Sequence, residues 1–223
     1  MRYPCAQGCA VVLCLTCVSG CATTDRRAGL RLRVQRATER RIAAAVEEAR
    51  AALRDGRPAE AERVLRHVKG ESRVTTEMMV LLAEALLVQD ATRVFDQEFT
   101  PVGRAAVFAA SERVRAECAR ILARAEPLDQ LIVLDTLIRA IRGIESRQRA
   151  EALRPFIGPL RQVIAEGDRA LAVIALNAAA LIGTPEGGEL LAEVASGGDP
   201  VLSRVARGYL QFEDERGRVR RAP

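Results

Sequence analysis

Residues 168–212 read DRALAVIALNAAALIGTPEGGELLAEVASGGDPVLSRVARGYLQF, and the punctuation of this stretch decides the fold class. Asp168 can cap a helix that ends at Gly183. Thr184 with Pro185 opens a second helix that stops at Gly197, and Asp199 with Pro200 opens a third reaching about Phe212. Asp and Thr side chains accept hydrogen bonds from the first free amides of a helix, proline suits its first turn, and glycine suits its end. Between these signals the aliphatic residues recur at helical spacing, with no period-two alternation.

The same grammar extends upstream. Thr100 with Pro101, and Pro127 through Gly143, mark two further helical segments. The apolar run Leu131–Leu134 has strand-like composition but lies inside a segment too long and too poor in turn residues for a strand. Composition agrees, since 49% of the residues are apolar but only 3% are aromatic and none is Trp. The apolar share is Ala, Leu, Val and Ile, which suits helices packed closely through small residues.

Three segments are self-similar: Ser111 running to Cys118 and Leu122, Asp168 running to Leu171 and Ala175, and Asp199 running to Leu202, Ala206 and Leu210. The last two are offset by 31 residues, whereas the first offset, 57, is not a multiple of it and marks 143–158 as degenerate or inserted. The pattern of polar cap, aliphatic residue, small residue and Gly-bounded second helix resembles HEAT-like repeats. Residues 51–61 (AALRDGRPAEA) resemble the turn of a tetratricopeptide-type hairpin, and a second helix pair is expected over Thr76–Phe99. These resemblances imply an all-α chain, an α-solenoid of stacked antiparallel helix pairs. Tetratricopeptide-like hairpins would cover 42–99 and HEAT-like repeats 100–212.

The N-terminus has a different character. After Arg2 the chain is uncharged to Thr24, with its most apolar part at Ala10–Val18. Nine helical residues span about 14 Å, half of a bilayer's hydrocarbon, which suits a cleaved leader rather than a membrane span. Val18-Ser19-Gly20-Cys21 resembles the lipobox of bacterial lipoproteins. That resemblance implies a signal peptide over 1–20, diacylglyceryl attachment at Cys21 and a lipid-anchored protein of the cell envelope. Ala22, in place of Asp, further implies the periplasmic face of the outer membrane. Cys5, Cys9, Cys14 and Cys17 would leave with the leader, so Cys118 is the one thiol of the mature chain besides Cys21.

Removing residues 1–20 loses only Arg2 and lowers the formal charge from +5 to +4, and the positive charges are interspersed with Glu. That balance, without any recognition motif, does not indicate a nucleic-acid partner. Residues 21–41 form an anchor and basic tether in which Arg26, Arg27, Arg31 and Arg33 are candidates for contact with anionic headgroups; a solvated tether is the alternative. Residues 213–223 are expected to be a basic, disordered tail.

No catalytic constellation emerges. His67 is the lone histidine, Cys118 sits where the repeat wants a small buried residue, and the adjacent pairs Glu47–Glu48 and Asp214–Glu215 point apart on a helix. Gly187-Gly188 and Gly197-Gly198 lack the context of a phosphate loop. No cofactor or metal is expected. Asn177 is the lone polar residue between Leu171 and Ile182, on a helix apolar enough for burial nearly all round. It bonds either to a neighbouring repeat or to a ligand in a concave groove. The expectation is a non-enzymatic, membrane-anchored scaffold or envelope assembly factor that binds a protein or peptide on the solenoid's concave face. The alternatives are an enzyme or small-ligand protein, as some HEAT-like proteins resemble bilin lyases, and a structural envelope protein held to lipid by its basic segment.

Overall fold

A computed structural model describes the backbone of residues 14–71, 74–144 and 146–221. The chain is all-α, with no strand among the described residues. Its helices are α1 (Cys14–Arg54), α2 (Pro58–Glu71), α3 (Thr76–Val88), α4 (Thr92–Glu98), α5 (Pro101–Ala110) and α6 (Glu112–Arg124), followed by α7 (Pro127–Ala140) and α8 (Ser146–Leu153). The last four are α9 (Ile157–Glu166), α10 (Arg169–Ile182), α11 (Pro185–Ala195) and α12 (Pro200–Arg221). Single 3-10 turns, Ile141–Gly143 and Arg154–Phe156, flank α8.

The cap residues explain where these helices begin. The side chains of Thr100, Ser111, Asp168 and Thr184 accept from the amides of Gly103, Val114, Leu171 and Gly187 at 3.1, 3.2, 2.8 and 3.1 Å. Asp199 accepts from both Val201 and Leu202, at 2.8 and 3.1 Å. Each such cap is worth about 1 kcal/mol over Ala. Gly183 closes α10 in the left-handed region at φ 64°, which glycine enters without a Cβ penalty. Gly187 serves a different need, because a Cβ there would lie 2.9 Å from the Ala179 carbonyl oxygen where α11 crosses α10.

Packing sorts the helices into two rows. One row runs α1, α3, α6, α9, α11, each against the next. The other runs α4–α5, α7, α10, α12, with α2 joined to its start through ion pairs from Arg66 and Lys69 to Glu98. Consecutive helices of opposite rows pack as pairs: α1 with α2, α6 with α7, α9 with α10, α11 with α12. Several bonds between successive layers share a sequence separation. Arg66–Glu98, Arg104–Asp135 and Arg169–Asp199 span 32, 31 and 30 residues, and Arg154–Glu186 and Arg161–Glu193 fall in the same interval.

Three features differ from the sequence reading, and a fourth fills the segment read as degenerate or inserted. Ser111 caps α6, which belongs to the first row, whereas Asp168 and Asp199 cap α10 and α12 of the second. The 57-residue offset therefore compares helices of different rows. The region 141–156 holds the additional helix α8 between its two turns. Residues 21–41, read as a tether, are continuous helix within α1, because no proline interrupts Cys14–Arg54 and Gly20 and Gly29 each cost only about 1 kcal/mol relative to Ala. Residues 213–221, read as an uncapped tail, prolong α12, since nothing after Pro200 breaks a helix as proline does. Residues 1–13 and 222–223 of the expected leader and tail lie outside the described residues.

The space between the rows is filled mainly by Leu and Ala, with Phe95, Phe108 and Phe156 as the bulkiest fully buried side chains. Phe108 of α5 meets Phe156, beside α9, at 5.5 Å between ring centroids. This contact ties the inserted segment to the second row.

Candidate functional site

Polar groups buried between the helices bond inward. Arg104, on α5, has a side chain only 6% exposed, yet it reaches Asp96, Asp135 (3.0 Å), the Thr136 hydroxyl (3.3 Å) and the Phe99 carbonyl (3.3 Å). One guanidinium thus staples α4, α5 and α7, and its burial is offset by charge pairing and by a near-complete set of acceptors. Glu84 of α3 is buried and accepts from the Ser111 hydroxyl at 2.8 Å, while Ser111 also caps α6. Glu98 is held below the ordinary carboxylate range by Lys69 and then Arg66. These clusters join helices, and each charge has its partner.

The outer faces of the rows are unlike. Val94, Val102, Leu128, Leu131, Leu181 and Val201 are 36–76% exposed, and all six lie on α4, α5, α7, α10 and α12 of the second row. Among the described residues, α3, α6, α9 and α11 carry no large exposed apolar side chain. Their outer faces present Glu112, Arg113, Arg124, Arg161, Glu166, Glu189 and Glu193, with only small apolar residues such as Ala116, Ala165 and Ala192 between them. An exposed Val or Leu is ordinary on any surface. From α3 onward, though, they fall on the helices of one row, α4, α5, α7, α10 and α12, and none falls on α3, α6, α9 or α11. Ala106, Ala110 and Gly208 are exposed on the same row and keep it shallow.

Asn177 belongs to this face. It is half-buried, not enclosed, one turn from Val173 and three residues before Ala180, and its amide has no hydrogen-bond partner among the described residues. Burial all round was expected because α10 is almost wholly apolar. Yet α10 has row neighbours on two sides and the first row on a third, which leaves the stripe through Val173, Asn177 and Ala180 outward.

Other sequence candidates fall elsewhere. Cys21, Arg26 and Arg27 lie within α1, of which only the backbone is described at those positions; Arg31 and Arg33 are exposed farther along it. They are remote in sequence from Asn177, and α1 packs on α2 and α3 rather than α10. His67 is exposed on α2. Cys118 is fully buried, and burial pushes its thiol up to about 12, far from the reactive thiolate range. No set of three His, Cys, Asp or Glu side chains able to hold a metal occurs among the described residues. No helix among them is long and apolar enough to cross a membrane.

Open grooves dent the surface among the described residues. One, of about 370 Å³, is lined by Glu112, Arg115, Gln148, Glu151 and Pro155 between α6 and α8. A second, of about 330 Å³, lies between α1 and the start of α3, and a third, of about 320 Å³, where α9, α11 and the start of α12 meet. Asn177 lines none of them. The exposed aliphatic residues of the second row were missed from sequence because they sit on five helices, and only the row assignment relates them. The chain matches no known family, no curated protein and no solved structure.

Proposed function

We propose that this protein is a membrane-anchored, non-enzymatic scaffold: an α-solenoid of stacked antiparallel helix pairs, acylated at Cys21, whose second row binds a protein or peptide of the cell envelope. The observation that carries the binding role is that, among the described helices from α3 onward, the large exposed aliphatic side chains lie on the second row and not the first. Supporting the repeat architecture is the separation of 30–32 residues that several side-chain bonds across successive layers have in common. A stack of pairs, none of which buries its own apolar face alone, offers an extended and rigid surface to a partner. The anchor rests on the leader-like composition before Val18-Ser19-Gly20-Cys21.

The test has two arms. Metabolic labelling with a fatty-acid probe is expected to mark the native chain and to fail for Cys21→Ala, with loss of membrane association. Label that persists in Cys21→Ala contradicts the anchor. Co-purification with partners is expected to be lost on Val102→Asp combined with Leu131→Asp while the helical content is unchanged. A partner set that survives these changes contradicts the binding face.

A further inference from the structure

We infer that the projecting part of α1 carries a binding face for an anionic phospholipid surface, formed by Leu30, Val34 and Ala37 with Arg31, Arg33 and Arg40 on their flanks. Among the described side chains of α1 the first buried one is Ala45, and residues 30–37 are all exposed and extend past the packed body, with Leu30 and Val34 64% and 59% exposed. At about 100° per residue, Leu30, Val34 and Ala37 fall on one stripe of the helix. Arg31 borders it on one side, Arg33 and Arg40 on the other, and Arg41 closes it one turn after Ala37. The opposite side carries Glu39, which accepts from Gln35 at 3.0 Å. Arg26 and Arg27 precede Arg33 and Arg31 by seven and four residues, so the register of basic flanks continues toward the start of the helix.

A narrow apolar stripe edged by arginines, with the carboxylate turned away, suits a headgroup layer. The aliphatic side chains enter the interface, while the guanidinium groups reach phosphate from its edges. The body does not obstruct this contact. Its buried residues on α1, Ala45, Val46, Ala49, Ala52 and Leu53, centre about a quarter turn from the stripe. An α1 lying on the leaflet would therefore hold the array beside it rather than between helix and lipid. The segment also favours a polyanion on its own energetics, because Arg36 and Arg40 are like charges at i,i+4, which destabilise an isolated helix. This inference deepens the membrane-anchored reading, but acylation is not required for it, and the two fail separately.

The experiment uses the full chain carrying Cys21→Ala throughout, sedimented with phosphatidylcholine vesicles with or without about 30% phosphatidylglycerol. Binding is read as the difference between the two, which removes any charge-independent contribution of residues 1–20. The parent is expected to bind the anionic vesicles selectively, and more weakly as salt rises. At about fivefold per arginine, Arg31→Ala, Arg33→Ala and Arg40→Ala together reduce that affinity roughly a hundredfold. Leu30→Ser with Val34→Ser reduces it about tenfold. Leu32→Ser and Arg36→Ala, on the far side, change it less than about twofold. Circular dichroism confirms that each variant keeps its helix content. The inference is overturned if the triple arginine variant binds like the parent, or if the far-side substitutions cost as much as the stripe. Capture by an acidic protein or nucleic acid in preference to the vesicles also overturns it.

Discussion

The two rows of helices are built from the same materials and finished differently. Both bury Leu and Ala toward each other, and both exchange ion pairs between successive layers, as Arg161–Glu193 does in the first row and Arg104–Asp135 in the second. On the outside they diverge: the first row is charged with small apolar residues between, the second carries every large exposed aliphatic residue of the body's helices from α3 onward, among the described residues. The core requirement is the same for both rows. The second row's outer face is the one proposed to meet a partner, whereas the first row's charged outer face suits water.

Substitutions separate what holds the rows together from what distinguishes them. The largest effect is expected for Phe108→Ala, which removes a fully buried ring packed on Phe156; about 3–5 kcal/mol of stability should be lost in denaturant unfolding. Arg104→Ala is expected to cost about 2 kcal/mol, less than a fully buried pair because Asp96 and Asp135 are partly solvated. Arg104→Met, which keeps the bulk, should cost less than Arg104→Ala, and an equal loss would mean that the staple acts by charge alone.

Smaller effects sharpen the contrast. The folded-state pKa of Cys118, about 12, lies above its unfolded value, so the folded chain retains a proton that the unfolded chain releases. That contribution is complete below about pH 9 and is lost as pH rises toward 12, the loss reaching about 1 kcal/mol near pH 10. Cys118→Ala should flatten this alkaline slope, measured as denaturation midpoints across pH. Arg161→Ala in the first row and Val102→Asp in the second should each change stability by less than about 1 kcal/mol. Only Val102→Asp should weaken partner binding, so similar binding losses for both would erase the distinction between the rows.

Much of the helical grammar was legible because it is local. A cap and its amide lie three residues apart, so Thr100, Ser111, Asp168, Thr184 and Asp199 mark helix starts that the backbone confirms. What stayed hidden depends on which helices meet. Ser111 resembles Asp168 in its local pattern and yet opens a helix of the other row, because α8 shifts the phase between them. Arg104 looks like any surface arginine until α4, α5 and α7 close around it. Asn177 was singled out for its apolar surroundings, but its half-exposure follows from the row geometry, as does its place among Val173, Ala180 and Leu181.

The central claim is that the second row's outer face contacts a protein partner. Its most direct test is photo-crosslinking in the native cell, with a photoreactive residue at Val102, Leu131 or Leu181 and, for comparison, at the exposed first-row positions Ala116, Ala165 or Ala192. The account predicts one discrete crosslinked product shared by the three second-row positions and absent from the first row. Equal crosslinking from both rows, or none from the second, would contradict it.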